Sequence, residues 1–219
     1  MKIYYSIGKN ANSGSHLLTE DLKHPDPYPK DKQRINICPA VKAAINQSYI
    51  LTSPIDIDLL FTKDEVQHSN KLSLPAYDEF VVVDGDCGTS NHYGFQLKTD
   101  IVFWTDKKIK DNRFQIWTHD IPARMQTSYN NWYIVGGFLP PSTLTRPLHA
   151  AIQLRRGENR IELKRGQPLM EISFLCNEKV ELIRKDEVPL KIWQEGQQRL
   201  DAARLCPYTF ARTLFHNFL

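Results

Sequence analysis

Cysteine is sparse and scattered. The four residues, Cys38, Cys87, Cys176 and Cys206, lie 49, 89 and 30 positions apart. Without a Cys-x-x-Cys pair there is no sign of a structural zinc site. A disulfide framework is not expected in a chain of this length that lacks a secretory signal, so the thiols read as separate, mostly buried small apolar groups. No apolar run approaches the roughly 20 residues of a membrane-spanning helix. The first ten residues turn polar too soon for a signal peptide, and neither end carries a lipidation box. A soluble, cytoplasmic protein is the expectation. The sequence also lacks Gly-x-x-x-x-Gly-Lys-Ser/Thr, Gly-x-Gly-x-x-Gly and Gly-x-Ser-x-Gly. That excludes the common phosphate-cradling loops and the hydrolase nucleophile elbow. No solenoid period and no low-complexity segment appear. A charge surplus is missing too: 28 basic against 25 acidic residues leave +3, and nucleic acid is not favoured as a partner.

What is present suffices for a core. Of the 219 residues, 41% are hydrophobic and 24% charged, which argues for one folded domain over 1–219. Thirteen prolines argue against a long-helix bundle. Short apolar runs recur every 10 to 20 residues with turn signals between them: Ile3–Ile7, Tyr49–Thr52, Ile55–Leu59, Phe80–Asp84, Phe95–Leu97, Ile101–Trp104, Phe114–Trp117, Trp132–Val135, His149–Leu154, Arg160–Leu163, Leu169–Phe174 and Val180–Ile183. This spacing predicts a mainly β fold, an antiparallel β-sandwich or barrel, with its β-rich core over 36–185. Residues 8–34 are polar, with prolines at 25, 27 and 29, and read as an extended arm wrapped on the body or on a partner. Cys38–Asn46 predicts one short N-terminal helix opened by Pro39. Pro189 opens a C-terminal helical segment over 189–219. Leu190, Trp193, Leu200 and Ala203 mark one stretch, and Phe210, Leu214, Phe215 and Phe218 a second. These helices are expected to cover a sheet face or edge, or to dock on another subunit.

Several patterns could carry chemistry. His119 and Asp120 are adjacent, so on a strand they point to opposite faces and cannot both ligate one metal without a bulge. A metal site built from His92, His119 and His149 is conceivable across strands. Cys87, in a Gly-flanked turn with His92 five residues on, offers a thiol nucleophile. The pairs Asp56/Asp58 and Asp84/Asp86 have the spacing that places both carboxylates on one strand face, where they could hold a divalent cation or simply be solvated. Charge is uneven: residues 1–100 hold 10 basic and 13 acidic side chains, and 101–219 hold 18 and 12. Arg146, Arg155, Arg156, Arg160, Lys164 and Arg165 cluster in sequence. Arginines at strand ends clamp phosphates or carboxylates bidentately, which marks Arg146, His149, Arg155, Arg156 and Arg165 as candidate ligand-binding residues. Ordinary turn solvation explains the same cluster.

The cadence Arg146-Pro147-Leu148-His149-Ala150-Ala151-Ile152-Gln153-Leu154, then Ile161-Glu162-Leu163-Lys164-Arg165-Gly166-Gln167-Pro168-Leu169-Met170-Glu171-Ile172-Ser173-Phe174, resembles the late barrel strands of the dUTPase and dCTP-deaminase family. It covers about 30 residues and implies a similar β topology. That family's nucleotide pocket and Gly-rich C-terminal motif have no counterpart here. The whole chain resembles conserved proteins of tailed bacteriophages, through Ile37-Cys38-Pro39-Ala40, Ser53-Pro54-Ile55-Asp56 and Arg165-Gly166-Gln167-Pro168-Leu169. That resemblance implies a viral protein in the infected host's cytoplasm or in a virion.

The leading expectation is a non-catalytic binding or interaction protein with no cofactor. It would contact a protein partner, or copies of itself, through the arm and the C-terminal helices, with no membrane involved. The alternative is an enzyme or sensor for a small anionic ligand such as a nucleotide, using the basic 146–166 region.

Overall fold

The computed structural model describes residues 1–7, 20–24, 47–62, 66–68, 81–82, 93–106, 114–120, 131–139, 147–155, 157–195 and 198. The predicted helix at 38–46, Cys87 and its turn, His92, Asp84/Asp86, Arg146, Arg156 and the second C-terminal helical stretch lie outside them.

The chain is mainly β, as its spacing predicts. The strands are β1 (Lys2–Ile7), β2 (Ser48–Thr52), β3 (Ile57–Phe61), β4 (Val66–His68), β5 (Val81–Val82), β6 (Gly94–Trp104), β7 (Phe114–His119), β8 (Trp132–Ile134), β9 (Gly137–Leu139), β10 (Leu148–Leu154), β11 (Arg160–Leu163), β12 (Pro168–Cys176) and β13 (Glu181–Arg184). They form three sheets. A six-stranded sheet runs β13-β1-β6-β10-β8, with β5 also on β6, and curls like half a barrel. A four-stranded sheet runs β2-β12-β7-β9, and a three-stranded one β11-β3-β4. Pairing is antiparallel throughout except between β1 and β13, which run parallel.

Alternation of side chains along each strand puts one apolar row inside. β10 shows it cleanly: Leu148, Ala150, Ile152 and Leu154 are buried, while His149, Ala151 and Gln153 are half-buried on the other side. The inner rows of all three sheets meet in one core. Aromatic rings link the layers. Phe174 of β12 lies edge-on to Phe103 of β6 at 5.7 Å and parallel to Phe114 at 6.1 Å. Phe61 of β3 reaches Phe95 of β6 at 6.3 Å and stacks on Tyr93 at 5.2 Å.

Two runs that read as separate strands, Phe95–Leu97 and Ile101–Trp104, form the single eleven-residue strand β6. The polar residues between them are a bulge. Against Leu148-His149 of β10, β6 places Thr99 and Asp100 as extra residues. Asp100 takes φ 54° and Thr99 donates its hydroxyl to the Leu148 carbonyl. Aspartate tolerates this left-handed backbone better than most side chains, and the bulge lets one strand serve β10 and β5 at its start and β1 at its end. A second feature, the strand β9 (Gly137–Leu139), was not among the runs expected from the sequence.

The face of the six-stranded sheet away from the core is covered at one end. Val102 and Trp104 of β6 pack with Val188, Ile192 and Trp193 of the helical segment over 190–195, beside Tyr4. The expected helix-on-sheet cover is therefore present for this first helical stretch.

The described part of the arm, 20–24, lies on the body. Lys23 and Ile50 exchange backbone hydrogen bonds of 3.0 and 2.7 Å, extending the four-stranded sheet past β2. Asp21 accepts the Tyr5 hydroxyl and, at 2.9 Å, an Arg184 N–H. Partial burial opposes the charge on Asp21, but these hydrogen bonds outweigh it and hold the carboxyl below its ordinary range. A lowered folded pKa means stability that is present above the ordinary carboxylate range and lost as pH falls through the folded value. Asp21→Asn should therefore lower the urea midpoint at neutral pH, and the gap to wild type should shrink on acidification. A gap that stays constant to low pH would show that Asp21 does not carry the arm as a charge. Phe174→Ala should cost about 3–5 kcal/mol in urea unfolding; a loss under 1 kcal/mol would mean that the aromatic hub does not close the sheets.

Candidate functional site

The outer face of the four-stranded sheet gathers polar and aromatic side chains that are far apart in sequence. In the β7/β12 ladder Glu171 stands opposite His119 and Ser173 opposite Trp117; in the β2/β12 ladder Ser173 stands opposite Ser48. His119 Nε2 lies 3.0 Å from Ser173 Oγ, and Ser173 Oγ lies 2.8 Å from Ser48 Oγ. His119 Nδ1 is 3.1 Å from the Asp120 carbonyl oxygen, which as an acceptor assigns the ring proton to Nδ1 and leaves Nε2 to accept from the Ser173 hydroxyl. The two serines and Glu171 are buried.

Next to this network the face opens. Phe138, Trp117 and His119 form a row of rings. Phe138 and Trp117 stack at 5.8 Å and 12°, and Trp117 meets His119 at 4.2 Å. Trp117 is 37% exposed, Phe138 52% and Leu175 41%. The corner at Val135-Gly136 carries the chain from β8 in one sheet to β9 in another and so sets Phe138 beside Trp117. Gly136 is required there, because a Cβ would collide with the Thr118 carbonyl. The Thr118 hydroxyl then receives the Gly137 N–H at 3.2 Å.

A histidine bonded to a serine resembles a nucleophile with its base. The backbone around Ser173 argues against that role. Ser173 sits mid-strand between β2 and β7, so the described backbone N–H groups beside it serve the ladders rather than an oxyanion hole. The network instead satisfies buried hydroxyls on a closed part of the face.

The predicted ligand residues are only partly brought together. His149 and Arg155 lie along the outer side of β10, and Arg155 sits over the Tyr133 ring at 5.9 Å. Arg165 is elsewhere, in the turn between β11 and β12, where its N–H bonds Asp56 at 2.9 Å. Arg160 is tied to Asp58 by two 3.0 Å bonds and to Glu162 at 2.9 Å. Of the two readings of the Asp56/Asp58 pair, the described contacts are to protein groups: Asp56 to the turn at Arg165 and Asp58 to Arg160. His119 and His149 stand on the outer faces of different sheets, so these two do not share a metal. No group of three potential metal ligands occurs among the described residues. Burial, above all, pushes the Cys176 thiol up, so it is not poised as a thiolate.

No family model, curated protein or solved structure matches this chain. Function has to be read from the geometry. No described helix is long and apolar enough to cross a membrane. The site residues missed at the sequence level are Ser48, Trp117, Phe138 and Ser173. Only the apolar Trp117 and Phe138, beside polar neighbours, could have drawn notice, because strand pairing rather than spacing unites them.

Ser173→Ala should cost about 1–3 kcal/mol, since it strips the buried Ser48 hydroxyl and His119 of a shared partner. Chemical denaturation checks this, and a neutral result would mean that the network contributes nothing.

Proposed function

We propose that this is a non-catalytic binding protein whose copies associate through the exposed aromatic row on the four-stranded sheet. The observation that carries the reading is the stacked pair Trp117–Phe138 standing in solvent beside Leu175. Large apolar side chains exposed together, rather than singly, mark an interaction surface. Tryptophan and other aromatics anchor such surfaces because a rigid ring buries much area at little entropic cost.

A second copy is the favoured occupant for two reasons. The described part-exposed and exposed residues around the row, Gln115, Trp117, His119, Phe138 and Leu175, include no carboxylate, lysine or arginine, and Glu171 on the same face is buried. A surface without a charge pattern has little with which to select a differently charged partner, whereas rings stack on their own copies about a two-fold axis. The near-neutral chain, at +3, also sets up little repulsion between copies. The rest of the arm and the aromatic 199–219 segment are assigned by their sequence to the same associative role. The phage resemblance would place this assembly in the infected cell or in a virion.

Light scattering after size exclusion tests the reading. Wild type should be a dimer at tens of micromolar, and Phe138→Ser should weaken the dimer by roughly 30-fold, the effect of losing about 2 kcal/mol at an aromatic anchor. A wild type that remains monomeric at high concentration would falsify this function, as would a dimer indifferent to both Phe138→Ser and Trp117→Ser.

A further inference from the structure

Residues 20–24 bridge the margins of two sheets. β2 is an end strand of the four-stranded sheet, and β13 is an end strand of the six-stranded one, with β1 beside it. Lys23 bonds the backbone of Ile50 on β2. Two residues earlier, Asp21 takes the Tyr5 hydroxyl of β1 and, at 2.9 Å, the Arg184 guanidinium of β13. Leu22, between them, packs against the core. The segment is thus a strap: its carboxylate holds one sheet, its backbone holds the other, and its leucine turns inward.

The seat under the strap reads an acidic, extended segment. Tyr5 and Arg184 are partners in the β1/β13 ladder, so a hydroxyl and a guanidinium converge on one carboxylate. Tyr5 serves Asp21 Oδ1 and Arg184 serves Oδ2, so both oxygens are recognised. Burial above all, and then the carboxylate itself, push the Tyr5 phenol up, which keeps it a donor. Next to it, Glu20 accepts from the Thr52 hydroxyl of β2 at 3.2 Å. Lys23 above all, with Thr52 and Arg165 behind it, holds Glu20 below its ordinary range. The Ile50 main chain supplies one N–H and one C=O. An edge used in this way gives affinity through its backbone, and the side chains around it choose the sequence.

The described contacts hold the strap lightly. Its backbone pairing with β2 is two bonds at one residue pair, of 3.0 and 2.7 Å. The Arg184–Asp21 and Lys23–Glu20 ion pairs are both largely exposed, and ion pairs in water contribute little. β12, on the other side of β2, is by contrast bonded along two neighbouring strands. Lifting the strap therefore leaves the ladders intact and costs a small part of the whole stability. It uncovers the Ile50 backbone, the Tyr5 hydroxyl and Arg184 together.

We infer that this seat is a docking site for an extended acidic segment of a partner protein, two adjacent carboxylates followed by an aliphatic residue, which replaces residues 20–23 and adds a strand to β2. The strap is the resident competitor. It displays the chemistry that fits, and it covers the edge until a partner displaces it. Charge favours this occupant, since Tyr5, Thr52, Arg165 and Arg184 are all donors or cations. Exchange of straps between two copies would restore the same contacts and gain none. A partner segment can gain, because β2 has five residues and, among the described residues, the strap bridges it at one. The site is separate from self-association, since β2 and β9 are opposite ends of the four-stranded sheet.

The test is fluorescence anisotropy with a labelled synthetic peptide copying residues 18–24, added to the full chain. Asp21→Asn in the protein weakens the strap and leaves the seat untouched, so the seat is open more of the time and apparent affinity rises in proportion. The peptide should bind Asp21→Asn roughly tenfold more tightly than wild type, the effect of weakening one charge-assisted hydrogen bond. Leu22→Ala, which loosens the strap by another contact, should act in the same direction and serves where Asp21→Asn fails to fold. Adding Arg184→Gln to Asp21→Asn should cancel the gain, and so should Asp21→Asn in the peptide itself. Hydrogen exchange at the Ile50 amide should quicken by a similar factor in Asp21→Asn, while the Ile172 amide of β12 keeps its rate and shows that the body is folded. Faster exchange without peptide binding would make the strap an edge cover alone and overturns the inference. Unchanged exchange with unchanged affinity overturns it too, as does peptide binding that ignores both Arg184 and the peptide's carboxylate. Growth of Asp21→Asn into larger species without peptide would give the seat to a second copy's strap, and likewise overturns it. Phe138→Ser in the same background should bind the peptide as its parent does, so the dimer reading can fail while this result stands.

Discussion

The ring of Phe174 meets Phe103 edge-on and lies parallel to Phe114, and around this contact the four-stranded sheet closes on the six-stranded one. Phe61 and Phe95 do the same for the smallest sheet. One core then takes the inner row of nearly every strand, and native cores are packed too densely to leave room for a ligand at such contacts. Among the described strands, the side chains left over for recognition are those of the outer rows and sheet edges. The bulge at Thr99-Asp100 follows from the same closure, since β6 has to bend from β10 toward β1 while keeping Leu97 and Ile101 on the inside. Two extra residues preserve that parity, whereas one would have turned an apolar row outward.

Much of this order was legible because alternation survives in the sequence. Ile57-Asp58-Leu59 and the run from Leu148 to Leu154 each show inner and outer rows directly. The bulge that split β6 into two runs, and β9, which was not among the predicted runs, were hidden for the same reason. Asp100 is a turn-forming residue used inside a strand, and Gly137 is a turn-forming residue beside two prolines in a strand only three residues long. The parallel pairing of β1 with β13 joins segments about 180 positions apart, and no local pattern encodes such a partner. The same limit applies to the sites. His119 and Ser173 are 54 positions apart, and Gln96 and His149 are 53 apart. The sequential cluster of basic residues was a poor guide because strand geometry disperses it: Arg160 turns to Asp58, Arg165 sits at a turn, and Arg155 braces on Tyr133.

The two outer faces differ in what a bound group would have to give up. At Trp117 and Phe138 the rings hold poorly solvated area in water, and contact with another apolar surface releases that water with few polar groups to desolvate. At Gln153 and Arg155 the side chains are polar and half-buried, so covering them costs unless their hydrogen bonds are kept.

The same contrast bears on catalysis. An acyl-transfer site needs an accessible nucleophile, a base and donors aimed at the developing oxyanion. The Ser173–His119 pair supplies two of the groups on a sheet face whose backbone donors are already paired across β2 and β7. A strand interior holds a hydroxyl in place but gives it no N–H groups to spare, which is why nucleophilic serines sit on turns at strand ends. The strand geometry that buries Ser48 and Ser173 is thus the geometry that commits the neighbouring backbone donors to the ladders. It leaves the adjacent rings as the part of this face that meets solvent.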